Sequence, residues 1–285
     1  MEPQIDATLV ERLVRSQHPR LSAPVDMLAH GWDNDIYRLG DAHLVRLPRR
    51  GVAADLIAGE QRWLPTLAAL LPVPAPTPVA AGEPEFGYPF RWSITPWLPG
   101  APAHEWPVAK RTVVANELAD ALLALHVPAP VDAPANPVRG VPLARRDSAL
   151  RARLPQFDNA SDIDRAWQRA LAASPWTGPA VWLHGDLHPA NILLEHRTDG
   201  LELAAIIDFG DLTSGDPATD LAVAWLLFDA DGRARFRERM AAEDATWDRA
   251  RGWAIIMATA MITGSPTGSP MIPIGRAALE QVLTG

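Results

Sequence analysis

Residues 181–221 read VWLHGDLHPANILLEHRTDGLELAAIIDFGDLTSGDPATDL, and no other stretch restricts the possible folds as tightly. Two short apolar runs, 191–195 and 201–208, flank a polar turn at 197–200. That pattern predicts a β-hairpin, with one loop before the first run and another after the second. The loops carry Asp186, Asn191 and Asp208. Two carboxylates and an amide at strand edges suit a hard divalent cation such as magnesium, which takes oxygen ligands and retains water and phosphate oxygens.

Spacing sharpens the reading. Asp186 and Asn191 form D-x-x-x-x-N, and Asp208-Phe209-Gly210 follows one hairpin later. Kinases use this arrangement, with an aspartate near the attacking hydroxyl, then an asparagine and a second aspartate on the metals. Each fragment alone is a weak signal; in this order across a hairpin they are a strong one. A rival reading puts His184, Asp186 and His188 on one face of a strand as a hydrolase-type metal cluster. Gly185 and Pro189 argue against a regular strand there.

With His184-Gly185-Asp186-Leu187-His188-Pro189-Ala190-Asn191, Ile207-Asp208-Phe209-Gly210-Asp211, Gly215-Asp216-Pro217 and Asp220-Leu221, the chain resembles the aminoglycoside/macrolide phosphotransferase family. The resemblance runs from about Gly31 to the last helices. It implies an α+β, protein-kinase-like fold in two lobes. The small lobe would hold a five-stranded antiparallel sheet and a helix; the larger, mostly helical lobe would carry the catalytic hairpin. It implies transfer of a nucleotide γ-phosphate to a hydroxyl of a small molecule. It also implies that His184 packs near Phe209 as a structural residue, and that Asp220 hydrogen-bonds the catalytic loop from behind.

Bulk properties narrow the partners. The chain has 285 residues, enough for one large domain or two lobes, and 48% are apolar. A net charge of −8 disfavours a general nucleic-acid binder. It suits a cationic substrate, and serves solubility equally well. There are no cysteines, which removes disulfides and thiolate chemistry. The N-terminal residues lack the apolar core of a signal peptide, and residues 253–262 are too few to span a bilayer. A cytoplasmic protein with no membrane partner is expected, where ATP or GTP and Mg2+ are at hand. The oligomeric state is not readable.

The expected nucleotide-binding lobe is 1–95, with a hinge at 96–100 and the catalytic and acceptor-binding lobe at 101–285. A helix at 5–17 precedes strands within 25–48, where Gly40-Asp41 marks a hairpin. Residues 31–35 sit where a kinase's phosphate-covering loop would, with only one glycine, so an ordinary polar turn fits as well. Lys110 is the only lysine, so the cation on the nucleotide phosphates falls to Arg46 on the third strand. Arg49 and Arg50 read as surface residues or phosphate helpers. On the helix at 52–71, Glu60 is the expected partner of Arg46, with Asp55 as competitor. Strands at 77–82 and 88–95 complete the sheet. The nucleotide base would meet backbone groups near Thr95 and Trp97, and Trp97 would either stack on it or pack in the core.

In the larger lobe, residues 107–126 predict one long helix, 127–142 a proline-rich loop, and 144–173 one or two helices. Arg145, Arg146, Arg151 and Arg153 form a cationic patch, either an anion site or a solvated face. Asp211 is a candidate to support the metal aspartate. Helices are expected at 218–229, 233–242, 245–263 and 273–283. Their acids (Asp229, Asp231, Glu238, Glu243, Asp244 and Asp248) would line a cationic-sugar pocket or lie in solvent, and Trp225, Trp247 and Trp253 would serve an apolar ligand or the core. Few residues separate Gly210 from Asp216 and no A-P-E follows, so there is no platform for a peptide and the acceptor should be small. The expected function is transfer of the γ-phosphate of ATP or GTP to an aminoglycoside- or macrolide-type antibiotic. The alternatives are a metabolic kinase acting on an amino alcohol, sugar or amine-linked sugar, and an inactive nucleotide-binding regulator.

Overall fold

In a computed structural model, residues 3–284 are described apart from Trp32 and Asp199. Trp32, in the expected phosphate loop, and Asp199, in the expected hairpin turn, thus lie outside the described residues. The chain divides into two units, Met1–Leu98 with Asp208–Gly210, and Pro99–Ile207 with Asp211–Gly285.

The first unit begins with α1 (Ala7–Gln17), capped by Asp6, whose carboxylate accepts the Leu9 amide at 2.8 Å. There follow β1 (Val25–His30), β2 (Asn34–Leu39), β3 (His43–Pro48), α2 (Gly51–Ala68), β4 (Ala80–Gly82) and β5 (Trp92–Pro96). The strands form one antiparallel sheet in the order β1-β2-β3-β5-β4. Gly40, at φ +56°, makes the turn between β2 and β3. Val10, Leu13 and Val14 of α1 bury with Tyr37, Leu39, Val45, Leu47, Trp92 and Ile94 in one apolar cluster. Strand alternation then turns Arg46 to the opposite side from Val45 and Leu47. β4 and β5 are shorter than expected. Phe86 and Gly87 have positive φ, and the Tyr88 hydroxyl donates to the Pro48 carbonyl at 2.8 Å, so 88–91 is not strand. Gly82 is required by Trp92, because a Cβ there would lie 1.8 Å from the indole ring.

The second unit contains β6 (Ala101–Pro102), α3 (Val108–Arg111), α4 (Ala115–Leu125), α5 (Asp147–Arg153), α6 (Ala160–Leu171) and β7 (Val181–Leu183). It continues with β8 (Ile192–Arg197), β9 (Gly200–Ile206), β10 (Thr213–Gly215), α7 (Ala218–Leu221), α8 (Val223–Leu227), α9 (Ala230–Met240), α10 (Asp244–Gly264) and α11 (Met271–Thr284). β8 and β9 form the expected hairpin, β6 pairs on its edge, and β7 pairs with β10.

Two expected helices are broken. The one at 107–126 passes through a 3-10 turn at Thr112–Val114, where a β-branched run loses side-chain freedom in a helix. There Arg111 turns inward onto the Trp106 and Leu227 carbonyls, and Thr112 donates to Asp229 at 2.9 Å. The helix expected at 218–229 ends at Leu227, because Asp229 instead caps α9 through the Gly232 amide. Trp225, Trp247 and Trp253 are all core residues. Among the described residues no helix is long and apolar enough to cross a membrane.

Candidate active site

The first unit holds Arg46, Glu60 and Asp208. On α2, Ala53, Ile57, Glu60, Leu64 and Leu67 are buried at steps of four and three, so Glu60 stands inside an otherwise apolar stripe. Its carboxylate accepts from Nη1 of Arg46, and both side chains are buried. Asp55 is not the partner. Nη2 of Arg46 lies 3.4 Å from Oδ1 of Asp208, whose side chain is 58% exposed. Burial lowers the Arg46 pKa, but the charges of Glu60 and Asp208 and the hydrogen bond to Glu60 outweigh it and hold it above the usual value. Asp208 adopts φ +62°, uncommon outside glycine and tolerated by aspartate.

The single-glycine loop is tied down by side chains. The Gly31 amide donates to the Asn34 carbonyl at 2.9 Å, and a Cβ on Gly31 would lie 2.9 Å from that oxygen. Nη1 of Arg49 donates to the Gly31 carbonyl at 3.0 Å, and Arg50 pairs with Asp33 at 2.6 Å. Arg49 and Arg50 therefore hold the loop. Thr95 is fully buried, and among the described residues its hydroxyl has no hydrogen-bond partner. The core alternative for Trp97 fails: it is 40% exposed beneath the Arg38 guanidinium at 3.8 Å, and its amide donates to the Ala42 carbonyl at 2.8 Å.

The second unit holds Asp186 and Asn191. After β7 the chain turns at Gly185, with φ +87°, where a Cβ would lie 2.2 Å from the Asp211 carbonyl oxygen. Behind this turn Asp220 is fully buried and accepts the His184 and Gly185 amides at 2.8 and 2.9 Å. It also contacts Nε2 of His126 at 3.1 Å. Burial raises the Asp220 pKa, but His126, His184 and the Gly185 amide lower it further, so it stays ionised and fixes the loop. His184 sets its Nε2 3.0 Å from the Ile207 carbonyl and its Nδ1 3.3 Å from the Asp186 amide. It is thus occupied with backbone, and among the described residues no group of three or more His, Cys, Asp or Glu is arranged to hold a metal. The hydrolase-type cluster is excluded on that geometry.

Asp186 is 29% exposed and accepts from Nη2 of Arg139 at 2.5 Å, with Nε2 of His188 at 3.4 Å. Burial raises its pKa, but Arg139, His188 and His184 more than reverse this, leaving it well below the usual carboxylate range. Asn191 is buried and directs Nδ2 to the Asp186 carbonyl at 3.0 Å, which leaves the amide oxygen for a hard cation. The Ile207 amide donates to the Asn191 carbonyl at 2.9 Å, and Asp208 is the next residue in the chain. Asp211 accepts from Nδ2 of Asn136 at 2.7 Å, an anchor for the proline-rich loop. Arg139 was not anticipated, since it lies in a loop without hydrophobic periodicity and no motif marks it.

The sheet with its buried Arg–Glu pair and the hairpin flanked by H-G-D and D-F-G make the fold that of a protein-kinase-like phosphotransferase. The chain belongs to the phosphotransferase enzyme family (APH), whose model matches residues 26–253. It is 30% identical over 159 residues to an aminoglycoside 3'-phosphotransferase of Streptomyces fradiae, covering 53% of this chain and 58% of that protein. It is 31% identical over 147 residues to an aminoglycoside 3'-phosphotransferase of Streptomyces ribosidificus, covering 47% and 52%. The chain thus spans a little over half the length of these relatives. The structure of an aminoglycoside 2'-phosphotransferase with GDP matches over 98% of this chain and 99% of its own, with a TM-score of 0.70 and 19% identity. A macrolide 2'-phosphotransferase from Brachybacterium faecium matches over 96% and 97%, with a TM-score of 0.62 and 21% identity.

Proposed function

We propose that this chain transfers the γ-phosphate of ATP or GTP directly to a hydroxyl of a small molecule, with aminoglycoside- and macrolide-type antibiotics the first acceptors to test. The observation that carries this is Asp186, an ionised carboxylate on a rigid loop five residues from Asn191. In this reading Asp186 orients the acceptor hydroxyl and takes its proton, Arg46 backed by Glu60 positions the nucleotide phosphates, and residues near Thr95 and Trp97 meet the base. Asn191 and Asp208 supply an amide and a carboxylate oxygen, a donor set that fits Mg2+. When bound, the metal would neutralise charge on the phosphates. Little covalent help is needed, because the transition state is loose and responds mainly to positioning and charge. We assign nucleotide binding to residues 1–95, the joining segment to 96–100, and catalysis with acceptor binding to 101–285. A cytoplasmic setting supplies the nucleotide and metal.

A metabolic kinase is the second reading. Arg139 favours it, because a guanidinium beside Asp186 opposes a polycationic sugar at that spot. Nucleotide consumption measured against a panel of aminoglycosides, macrolides and hydroxylated metabolites separates the two. Acceptor-dependent consumption is expected with at least one class. Magnesium-independent nucleotide binding with neither background hydrolysis nor acceptor-dependent turnover would replace both with an inactive regulator.

A further inference from the structure

The backbone of Asp186 is fixed by its own loop. Its amide donates to Nδ1 of His184 at 3.3 Å, and its carbonyl accepts from Nδ2 of Asn191 at 3.0 Å. Neither bond stops the carboxylate from rotating, and a group that orients a reacting hydroxyl must be held close to one geometry. The bond that holds the carboxylate comes from outside the H-G-D motif. Nη2 of Arg139 donates to Oδ1 at 2.5 Å, whereas Nε2 of His188 lies 3.4 Å from Oδ2. A guanidinium on a carboxylate is both strong and directional. The two side chains are only 18% and 29% exposed, so solvent screens this pair less than one on the open surface.

Arg139 is held in turn by a loop built around Asn136. Oδ1 of Asn136 accepts the Val138 and Arg139 amides at 2.9 and 3.1 Å. Pro137, within that turn, has a fixed φ and no amide hydrogen to satisfy. Nδ2 of Asn136 donates to Asp211 at 2.7 Å, and its own amide donates to the Thr213 hydroxyl at 3.0 Å. That hydroxyl donates to the Pro134 carbonyl at 3.0 Å, and the Asp216 amide donates to the Gly140 carbonyl at 3.2 Å. The loop is thus bonded on both sides of Arg139 to the segment 211–216. Within that segment β10 pairs with β7, Thr213 opposite Leu183, and Asp186 follows Leu183 by three residues. Arg139 and Asp186 are therefore presented by adjacent strands of one ribbon, although 47 positions separate them in the chain.

We propose that Arg139 is a positioning residue for phosphoryl transfer and that Asn136 sets it in place. By holding Oδ1, Arg139 fixes the orientation of Asp186 and leaves Oδ2 for the acceptor hydroxyl. The proposal rests on Asp186 as the residue that orients the acceptor. The guanidinium also makes Asp186 a weaker base, which a loose transition state tolerates because positioning matters more than proton removal.

The test is steady-state kinetics of the full-length protein with nucleotide and Mg2+, using water as acceptor and each antibiotic or metabolite that the wild type turns over. Arg139→Met should lower kcat by about 10- to 100-fold, the loss matched to a charged hydrogen bond, with the nucleotide KM unchanged. Asn136→Ala should show the same split to a smaller degree. Val138→Ala, in the same loop but with an exposed side chain, should behave as wild type. Methylguanidinium should restore kcat to Arg139→Ala without moving its urea midpoint, which a merely structural arginine would not allow. In an Asp186→Ala background Arg139→Met should cause no further loss, because Arg139 acts through Asp186. Full activity of Arg139→Met overturns the proposal, and so does faster turnover, which would make Arg139 a brake. A further loss in the Asp186→Ala background also overturns it, by assigning Arg139 to the phosphoryl group itself. If Arg139→Met does not fold, Asn136→Ala decides by the same division between kcat and KM. A wild type that consumes nucleotide with no acceptor rejects phosphotransfer, and this role with it. An active wild type with an unaffected Arg139→Met rejects this role alone.

Discussion

Asp186→Ala should cut turnover by about 10²- to 10⁴-fold, the range expected when a positioned proton acceptor is removed. Nucleotide affinity should be unchanged, because the proposed phosphate contact comes from Arg46 and the proposed metal donors are Asn191 and Asp208. A coupled assay of nucleotide consumption measures the first, and titration with nucleotide measures the second. Retained full activity rejects the assignment. The pH dependence has a definite sign. Asp186 is held below the usual carboxylate range, with Arg139 the largest lowering influence. It therefore stays ionised as pH falls past the ordinary carboxylate value, and it does not set the acidic limb of the wild-type profile. Arg139→Met removes that cation, so the Asp186 pKa rises, Asp186 comes to set the acidic limb, and that limb lies at higher pH than in the wild type. His184 and His188 also face Asp186 and lower its pKa, and both remain in the variant. The same depression links to stability: the ion pair contributes fully above the unfolded carboxylate pKa and is lost as pH falls through the folded one.

Arg46→Ala should be the most destabilising single change at the site. It leaves Glu60 buried without its cation, and breaking a buried ion pair in this way costs about 3–5 kcal/mol. Replacing both partners together, Arg46→Met with Glu60→Met, should recover much of that loss, since the orphaned charge disappears and the stripe of α2 becomes wholly apolar. Urea unfolding followed by tryptophan fluorescence measures the midpoints. The recovery in stability should come without recovery of nucleotide binding, which keeps the structural and phosphate roles of Arg46 apart. A double variant no more stable than the single one would contradict this account of the pair.

The elements around these residues differ in how far the chain announces them. Glu60 was readable because the kinase architecture asks for an acid on this helix opposite Arg46, and the buried stripe of α2 at steps of three and four shows why Glu60 and not Asp55 faces inward. The hairpin was readable because two apolar runs flank a polar turn, and it forms with Arg197 opposite Gly200. Asp220 was placed by family resemblance alone; its two amide contacts depend on where α7 begins. Arg139 had no local signal, since its partner Asp186 lies 47 positions away and its own loop is punctuated by prolines. Arg146 and Arg151 look alike on paper and diverge because Asp147 and Asp164 offer carboxylates to only one of them. Short-range periodicity reports which face is apolar. It is silent on which distant acid meets a given base, and that pairing separates a solvated arginine from a buried one.

The smaller unit is not a continuous length of polypeptide, since Asp208–Gly210 belong to it while their neighbours on both sides belong to the other. A gene fragment ending at Leu98 would encode the sheet, Arg46 and Glu60 but omit the carboxylate that Arg46 reaches. Recombination at a single crossover therefore cannot exchange this unit intact between relatives. Any chimera with a junction near Leu98 inherits its D-F-G segment from the parent of its helical portion, so compatibility across that short return should decide which chimeras remain active.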